Sequence, residues 1–367
     1  TASGARILGS AFFLKGSSFL VSLFAVRIIA QESFGSFSFA FAIISFITPF
    51  SGLGLNQSLL RFGSRTKSLS ERKSLYFYSL INGSLASIGI AAAICMLALF
   101  FPSIFGSASK ILIILSFQVI GLFIYQLFKA YLLVFRLNKA YANTENLYAF
   151  NHLLFGFSLT YLYGVYGLCS AYIIAPTLTY ILSVLRFREL FKGLFSKIKI
   201  QVSREYWVYA IHTGFGALSS QVFYMMDIFM IGILIQNDTQ TALYKAATLI
   251  PLSINFIPLS YVTTFFVSLA RNSENRKGLL KFLSDYWKVF VPLTFLLAVA
   301  LLLFSYSFFT IIFGDQYADS VTLFRLLILA LCGNFLLRVP LGNFLSAIGR
   351  SDINTYIAII FSLLNAI

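Results

Sequence analysis

Ile90-Ala-Ala-Ala-Ile-Cys-Met-Leu-Ala-Leu-Phe-Phe101 is apolar around the whole circumference of a helix, and the run Val291–Phe304 is similar. A helix without a polar face is buried in a large core or in a bilayer. Of the 367 residues, 59% are hydrophobic and only 11% are charged. Soluble domains carry about 25% charged residues. A soluble enzyme, a disordered chain and a secreted disulfide scaffold are therefore excluded, and the sequence predicts an all-α polytopic membrane protein.

Apolar runs of about 20 residues, which is the length that crosses a bilayer, predict ten complete spans. An eleventh run begins near Asn354 and has only 14 residues up to and including Ile367. We therefore expect a parent protein of 12 helices, with about ten complete helices and part of an eleventh in this chain. A β-barrel would show alternating runs of about ten residues instead. The predicted spans are 7–29, 36–60, 75–101, 111–135, 147–162, 164–185, 207–234, 241–269, 289–313 and 322–347.

The net charge of +15 arises from 27 basic and 12 acidic residues. A nucleic-acid partner would need a wet basic face, which a bilayer-embedded chain does not offer. With the N-terminus in the cytoplasm, the inward loops hold nineteen basic residues and the outward loops hold only Lys110. Cytoplasmic Lys and Arg determine the orientation of membrane helices during insertion. The charge is thus explained mainly by topology, with a cytoplasmic N-terminus.

The chain is predicted to contain an internal repeat. Leu97-Ala-Leu-Phe-Phe-Pro-Ser-Ile-Phe-Gly106 is similar to Phe304-Ser-Tyr-Ser-Phe-Phe-Thr-Ile-Ile-Phe-Gly314, and the basic loop Arg65–Lys73 matches Arg271–Lys281. We expect two pseudo-symmetric six-helix bundles with a cavity between them, an arrangement that suits alternating access. The predicted domains are an N-terminal bundle (1–185), a basic cytoplasmic linker (186–206) and a C-terminal bundle (207–367) that stops in its fifth helix.

Seven basic residues fall inside or at the ends of predicted spans, where Asp227 is the only acid opposing them. A cation in the middle of a bilayer costs about 3 kcal/mol on insertion scales unless it meets water or a partner. Lys15, Lys129 and Arg338 are the deepest, and the last two lie one repeat length apart. We expect them to line a water-filled cationic cavity for an anion; the alternative is a structural contact between helices. The seven residues are Lys15, Arg27, Lys129, Lys245, Lys288, Arg325 and Arg338.

The remaining charged side chains in the predicted spans allow more than one interpretation. Arg27 and Arg325 lie toward the outer ends of their helices, and they either reach the interface or join the cationic cavity. Lys288 is expected either to pair with Asp285 at the interface or to extend its ammonium group to the interface by itself. Asp227 and Lys245 predict an ion pair or, alternatively, a site for H⁺ or Na⁺ coupling.

Other chemistry is not indicated by the sequence. No metal site, cofactor or catalytic residue is predicted, and no Walker motif occurs. Gly52-Leu-Gly54 is expected to lie within an apolar helix rather than in a phosphate loop.

Four segments carry a resemblance to a known family. Val26-Arg-Ile-Ile-Ala-Gln-Glu-Ser-Phe-Gly35 and Gly52-Leu-Gly-Leu-Asn-Gln-Ser-Leu-Leu-Arg61 resemble the opening of the Wzx-type polysaccharide (O-antigen) flippases. These belong to the multidrug/oligosaccharidyl-lipid/polysaccharide (MOP) exporter superfamily. Met226-Asp-Ile-Phe-Met-Ile-Gly232 and Leu243-Tyr-Lys-Ala-Ala247 resemble the family's seventh and eighth helices.

The resemblance implies 12 or 14 helices with two six-helix bundles, and the internal repeat fits 12. It also implies transport of an undecaprenyl-pyrophosphate-linked oligosaccharide for lipopolysaccharide synthesis. It implies a location in the bacterial inner membrane, and the polysaccharide polymerase machinery is a candidate partner. Arg27, Arg61 and Asp227 match positions that the family tends to keep. A lipid II flippase is an alternative, and a multidrug exporter of the same fold is a weaker one, because its cationic substrates would be repelled by a cationic cavity. A polymerase or ligase would need a large outward loop, which the predicted spans do not leave.

Overall fold

The computed structural model describes residues 2–191, 202–259, 261–262 and 276–347, with positions 350, 353–354, 356–357 and 360. Several predicted features lie partly outside these residues. They are the linker between 192 and 201, the end of the eighth span after 262, the basic loop between 271 and 275, and most of the eleventh run.

The described part of the chain is helical and contains no strand, which confirms the predicted all-α class. Eight of its helices are long and apolar enough to cross a membrane. The first ten helices are α1 (Ala2–Ile28), α2 (Gln31–Ile47), α3 (Leu55–Arg65), α4 (Leu69–Phe100), α5 (Pro102–Phe105), α6 (Ala108–Ser116), α7 (Gln118–Val134), α8 (Asn138–Arg186), α9 (Arg204–Met230) and α10 (Asp238–Ile254). The later helices are α11 (Arg276–Leu303), α12 (Ser305–Phe313), α13 (Ser320–Gly333) and α14 (Val339–Ala347).

Short segments of other helical types complete the described chain. Three of them are 3-10 helices, at Thr48–Gly54, Arg188–Phe191 and Asp315–Tyr317. Two are π-helical: Ile231–Ile235 continues α9, and Asn334–Arg338 joins α13 to α14.

Packing divides the chain into two compact units, Thr1–Thr241 and Ala242–Ile367. The first unit includes α9, because α9 packs against α2, α3 and the segment that joins them. The compact boundary therefore falls after α9 rather than at the basic linker. The predicted domains, with their boundary at 186–206, stay a prediction.

The second predicted span, 36–60, is not one continuous helix. α2 ends at Ile47 and Pro49 lies in the 3-10 segment that follows, in which Gly52, Leu53 and Gly54 all have left-handed backbone angles, with φ of 60°, 54° and 74°. The expectation that Gly52-Leu-Gly54 lies within an apolar helix is therefore wrong. Glycine adopts positive φ without the steric cost of a Cβ atom, which is why the chain can break here.

Two other predicted spans begin or end at different residues. α8 starts at Asn138, nine residues before the predicted fifth span, and Gly164 (φ 57°) breaks it close to the predicted turn between spans five and six. The predicted ninth span, 289–313, is divided at Phe304 into α11 and α12. A short helix that ends at a positive-φ glycine thus follows the long helix in each repeat, at Gly106 and at Gly314.

The core of the first unit closes around the break between α2 and α3. The ring of Phe123 on α7 is 1% exposed and lies against Gly52 and against Gly83 of α4. A Cβ atom added at either glycine would come within 2.0 Å of that ring. Leu55, Tyr76 and Tyr131 extend this cluster toward the predicted cytoplasmic side.

Candidate functional site

A buried ion pair joins α7 to α8 within the first unit. Lys129 Nζ donates a hydrogen bond to Glu145 Oε1 at 2.5 Å, and the two side chains are 16% and 6% exposed. The Ser10 hydroxyl of α1 donates to Glu145 Oε2 at 2.6 Å, and the Tyr141 hydroxyl donates to Oε1 at 3.2 Å. The ammonium also lies 4.7 Å from the centre of the Tyr141 ring. Each charge is therefore neutralised by a partner.

This pair corrects the prediction that Asp227 is the only acid opposing the intramembrane cations. The sequence places Glu145 in a loop before the fifth span, because that stretch is too polar to be counted as apolar. In the structure α8 begins earlier, and Glu145 lies two turns inside it. The missed signal is the helical spacing of Tyr141, Glu145 and Tyr148, which places a carboxylate between two aromatic rings on one face.

Four of the basic residues in predicted spans have exposed side chains within their own units: Lys15, Arg27, Arg325 and Arg338. Lys15 lies midway along α1, and Arg27 lies in its last turn. In the second unit, Arg325 Nε donates to Ser305 Oγ at 2.7 Å, and Arg338 is the last residue of the π-helical segment. These side chains can therefore reach lipid, water or a ligand, and their predicted role in substrate binding stays a prediction.

Asp227 and Lys245 are both partly buried, on α9 and α10. They belong to different compact units. Their predicted ion pair, and the alternative role of Asp227 in ion coupling, stay predictions. The predicted interfacial pair is confirmed: Lys288 Nζ lies 3.4 Å from Asp285 Oδ1, and both side chains are exposed.

A second polar region opens between α3 and α9, directly after the break between α2 and α3. Its cleft has a volume of about 440 Å³ and is lined by Arg61, Arg204, Glu205, Tyr209 and His212, with Phe62 and Val208. The Arg61 guanidinium carbon lies 4.2 Å from the centre of the Tyr209 ring. Two guanidinium groups beside one carboxylate and an aromatic face are suited to bind phosphate and sugar groups.

The break between α2 and α3 sets the position of Arg61. Gly54 approaches α9 so closely that a Cβ atom there would lie 2.1 Å from the Ala210 carbonyl oxygen. In transporters, discontinuous membrane helices often form the substrate or ion site. The sequence identified Arg61 through the family resemblance, but the break itself was not predicted.

Asp238 forms a further polar contact that the sequence did not predict. Its carboxylate accepts hydrogen bonds from the hydroxyls of Ser36, at 2.7 Å, and of Ser107. A Cβ atom at Gly35 would lie 1.8 Å from the Asp238 carbonyl oxygen, so Gly35 allows this close approach. The start of α10 is thereby held against the predicted outer end of α2.

Metal ligation is not supported by the described residues, among which no group of three or more His, Cys, Asp and Glu side chains is arranged around a common point. The two histidines belong to separate elements, α8 and α9.

The chain matches known proteins in sequence family and in fold. Residues 2–266 match the family described as "Polysaccharide biosynthesis protein". A search of curated proteins finds no match. The fold is similar to that of the lipid II flippase MurJ in an inward closed conformation, with a TM-score of 0.73 and 16% identity over 97% of this chain and 79% of that one. It is also similar to an inward-facing multidrug resistance MATE family transporter of the MOP superfamily, with a TM-score of 0.69 and 16% identity over 96% and 84% of the two chains.

Proposed function

The chain belongs to the polysaccharide biosynthesis protein family, and we propose that it is a flippase for a lipid-linked anionic oligosaccharide. The cargo is an undecaprenyl-pyrophosphate-linked repeat unit, as in O-antigen synthesis, and it moves from the cytoplasmic to the outer leaflet of the bacterial inner membrane. Transport follows alternating access, without a chemical reaction on the cargo. The protein is therefore a transporter and not an enzyme.

The excess of positive charge on its spanning helices is the observation that carries this proposal. Lys15, Arg27, Arg325 and Arg338 are exposed on helices that are long enough to span. Each of these cations would cost about 3 kcal/mol in hydrocarbon. A water-filled path that carries a pyrophosphate or acidic sugars offsets that cost.

Lipid II and cationic drugs are the alternative cargoes. Lipid II also carries an undecaprenyl pyrophosphate, so the same cations would bind it. A cationic drug is disfavoured, because a path with excess positive charge repels it. The family description, polysaccharide biosynthesis, favours the oligosaccharide over both.

Transport by the purified protein in liposomes tests the proposal. Fluorescent undecaprenyl-pyrophosphate oligosaccharide, fluorescent lipid II and a fluorescent cationic drug are supplied separately, and an impermeant quencher reports how much of each reaches the other leaflet. We expect transport of the oligosaccharide, and much slower transport of the other two. Equal or faster transport of lipid II or of the drug would contradict the proposed cargo.

The driving force of transport is proposed to be a gradient of H⁺ or Na⁺ that acts through Asp227. The same liposomes with imposed gradients test this proposal on the variant Asp227→Asn. The wild type is expected to respond to one gradient, and the variant is expected to lose that response. An unchanged ion dependence in the variant would mean that Asp227 has only a structural role. The polymerase machinery is the proposed downstream partner, because it consumes the translocated repeat unit.

A further inference from the structure

A polar cleft opens between the first turns of α1 and α8, both in the first unit. It has a volume of about 520 Å³. One wall is Arg6, Gly9, Ser10 and Phe13 of α1, and the other is Lys139, Ala142, Asn143 and Asn146 of α8. Both sets follow the three- and four-residue spacing of a single helix face. Gly9 and Ala142 are small, which leaves room between the helices.

The cleft carries two cations that no carboxylate neutralises in the described part of the chain. Arg6 and Lys139 are both exposed, and neither forms a salt bridge with a described residue. The nearby carboxylate, Glu145, is engaged by Lys129. The side-chain amides of Asn143 and Asn146 make no hydrogen bond to another described residue, so both can bind a ligand. The cleft therefore combines positive charge with hydrogen-bonding groups for hydroxyls.

An apolar stripe continues from the cleft along α8. Lys139, Asn143 and Asn146 are followed on the same face by Phe150, Leu154 and Phe157, at intervals of four, four and three residues. These three side chains are 56%, 49% and 37% exposed. Phe13, at the cleft wall on α1, is also exposed. A ligand that fits this surface has an anionic head and a long apolar tail.

We propose that this cleft binds the phosphate head group of an anionic membrane lipid. Arg6 and Lys139 contact the phosphate, Asn143 and Asn146 bind head-group hydroxyls, and the tail lies along Phe150, Leu154 and Phe157. Basic pockets between membrane helices on the cytoplasmic side bind anionic head groups in this way. The proposed occupant is a resident anionic phospholipid, and a polyprenyl phosphate is the alternative that competition tests. The site stands independently of the flippase proposal, because its residues are separate from the proposed transport cations.

Native mass spectrometry of the intact protein in detergent tests this site, with phosphatidylglycerol as the probe and phosphatidylcholine as the zwitterionic comparison. The variant is Arg6→Gln/Lys139→Gln. The control, Arg65→Gln/Lys67→Gln, removes the same charge from another predicted cytoplasmic segment. Two lost charge contacts should weaken phosphatidylglycerol binding about thirty-fold in the variant, and the control should bind as the wild type does.

A second variant, Gly9→Leu, fills the cleft without changing its charge. A Cβ atom at Gly9 has no neighbour within 4 Å, so the helix accepts the substitution. We expect it to lose lipid binding while it keeps the elution profile and helical circular dichroism of the wild type. It therefore tests the site even if the double variant fails to fold.

Competition identifies the source of the phosphate. Displacement of phosphatidylglycerol by a polyprenyl phosphate, but not by inorganic phosphate, would support a site that the cargo lipid can share. Resistance to both competitors, with binding lost in the two cleft variants, would support a resident phospholipid. The inference is overturned if the wild type binds phosphatidylcholine equally well, if both cleft variants keep full binding, or if the Arg65/Lys67 control loses as much.

Discussion

At the residue scale, the Lys129–Glu145 pair shows how a buried charge is kept in this protein. The ammonium and the carboxylate are both largely shielded, and Ser10 and Tyr141 supply two further hydrogen bonds to the carboxylate. Removing one member of a buried pair leaves the other charge uncompensated. The stability that each single variant loses therefore measures mainly the cost of burying the unpaired charge that remains.

We expect Lys129→Gln and Glu145→Gln each to lower the stability of the folded protein by about 3–5 kcal/mol. The double variant Lys129→Gln/Glu145→Gln should lose clearly less than the sum of the two, because no uncompensated charge remains. Thermal unfolding of the purified wild type, the two single variants and the double variant in one detergent measures these differences in stability. Strictly additive losses would show that the pair does not act as a unit.

The exposed pair Lys288–Asp285 provides the matched control. Its side chains are 72% and 47% exposed, and exposed pairs contribute at most about 1 kcal/mol. Lys288→Gln should therefore leave the unfolding temperature nearly unchanged. It should also transport cargo normally, since Lys288 lies outside the proposed path.

At the element scale, the break between α2 and α3 depends on Gly52 and Gly54. Gly54 has a left-handed backbone, and it lies against the Ala210 carbonyl of α9. An L-residue in the left-handed region costs about 1–2 kcal/mol, and the close carbonyl adds to that cost. The break, and with it the position of Arg61, therefore requires glycine at position 54.

Gly54→Ala should destabilise the folded protein by at least about 1–2 kcal/mol and reduce transport more than its loss of folded protein explains. The matched control is Gly89→Ala in α4, where an added Cβ meets no atom within 4 Å and alanine favours the helix. Monodisperse yield and liposome transport measure both variants. If Gly54→Ala behaves like Gly89→Ala, the break does not depend on glycine there.

The π-helical segment before α14 depends on donors from α11. In a π-helix the hydrogen-bond ladder shifts by one residue, which leaves carbonyl oxygens for other partners. The Tyr286 hydroxyl donates to the Phe335 carbonyl at 2.7 Å, and the Trp287 indole donates to the Leu336 carbonyl at 2.8 Å. The segment ends at Arg338, so these two bonds help to set where that guanidinium lies.

Tyr286→Phe keeps the ring and removes only the donor, so we expect a loss of about 1–3 kcal/mol from the unsatisfied carbonyl. Tyr286→Phe and Arg338→Gln should each reduce transport. The double variant should lose less transport than the sum of the two single losses. The exposed Tyr306 gives the control, Tyr306→Phe, which should be neutral. Additive effects of Tyr286→Phe and Arg338→Gln would mean that Tyr286 does not position Arg338.

At the scale of the whole molecule, the loop charges predict one orientation. Lys67 lies between α3 and α4, on the predicted cytoplasmic side, and Lys110 lies near the start of α6, on the predicted outer side. Both side chains are exposed, so each can be replaced by a reporter. The positive-inside rule gives the expected result for each one.

Lys110→Cys should react with a membrane-impermeant maleimide added to intact cells, whereas Lys67→Cys should react only after the membrane is opened. The background is a variant in which Cys95, Cys169 and Cys332 are replaced by alanine; none of the three forms a disulfide. Labelled fractions measured by gel shift give the answer. The reverse pattern would invert the predicted topology and place the lipid cleft of Arg6 and Lys139 on the outer side.

The amino-acid sequence alone is enough to predict the helical membrane class, most of the spans, the family and the orientation. These properties depend on composition and order along the chain, because insertion into a bilayer follows local apolar length and flanking charge. The turn between the fifth and sixth spans, which the structure places at Gly164, and the Lys288–Asp285 pair were predicted for the same reason, since each depends on residues close in sequence.

Packing in three dimensions shows that Glu145 neutralises Lys129 and that the second predicted span breaks at Gly52–Gly54, neither of which the sequence predicted. Glu145 lies 16 residues from Lys129 and 135 from Ser10, and the three meet only because α1, α7 and α8 pack together. The left-handed turn at Gly52–Gly54 likewise packs against Phe123 and Ala210, which belong to other helices. An apolar count along the chain contains no information about such neighbours, because contacts between helices are fixed by packing in three dimensions.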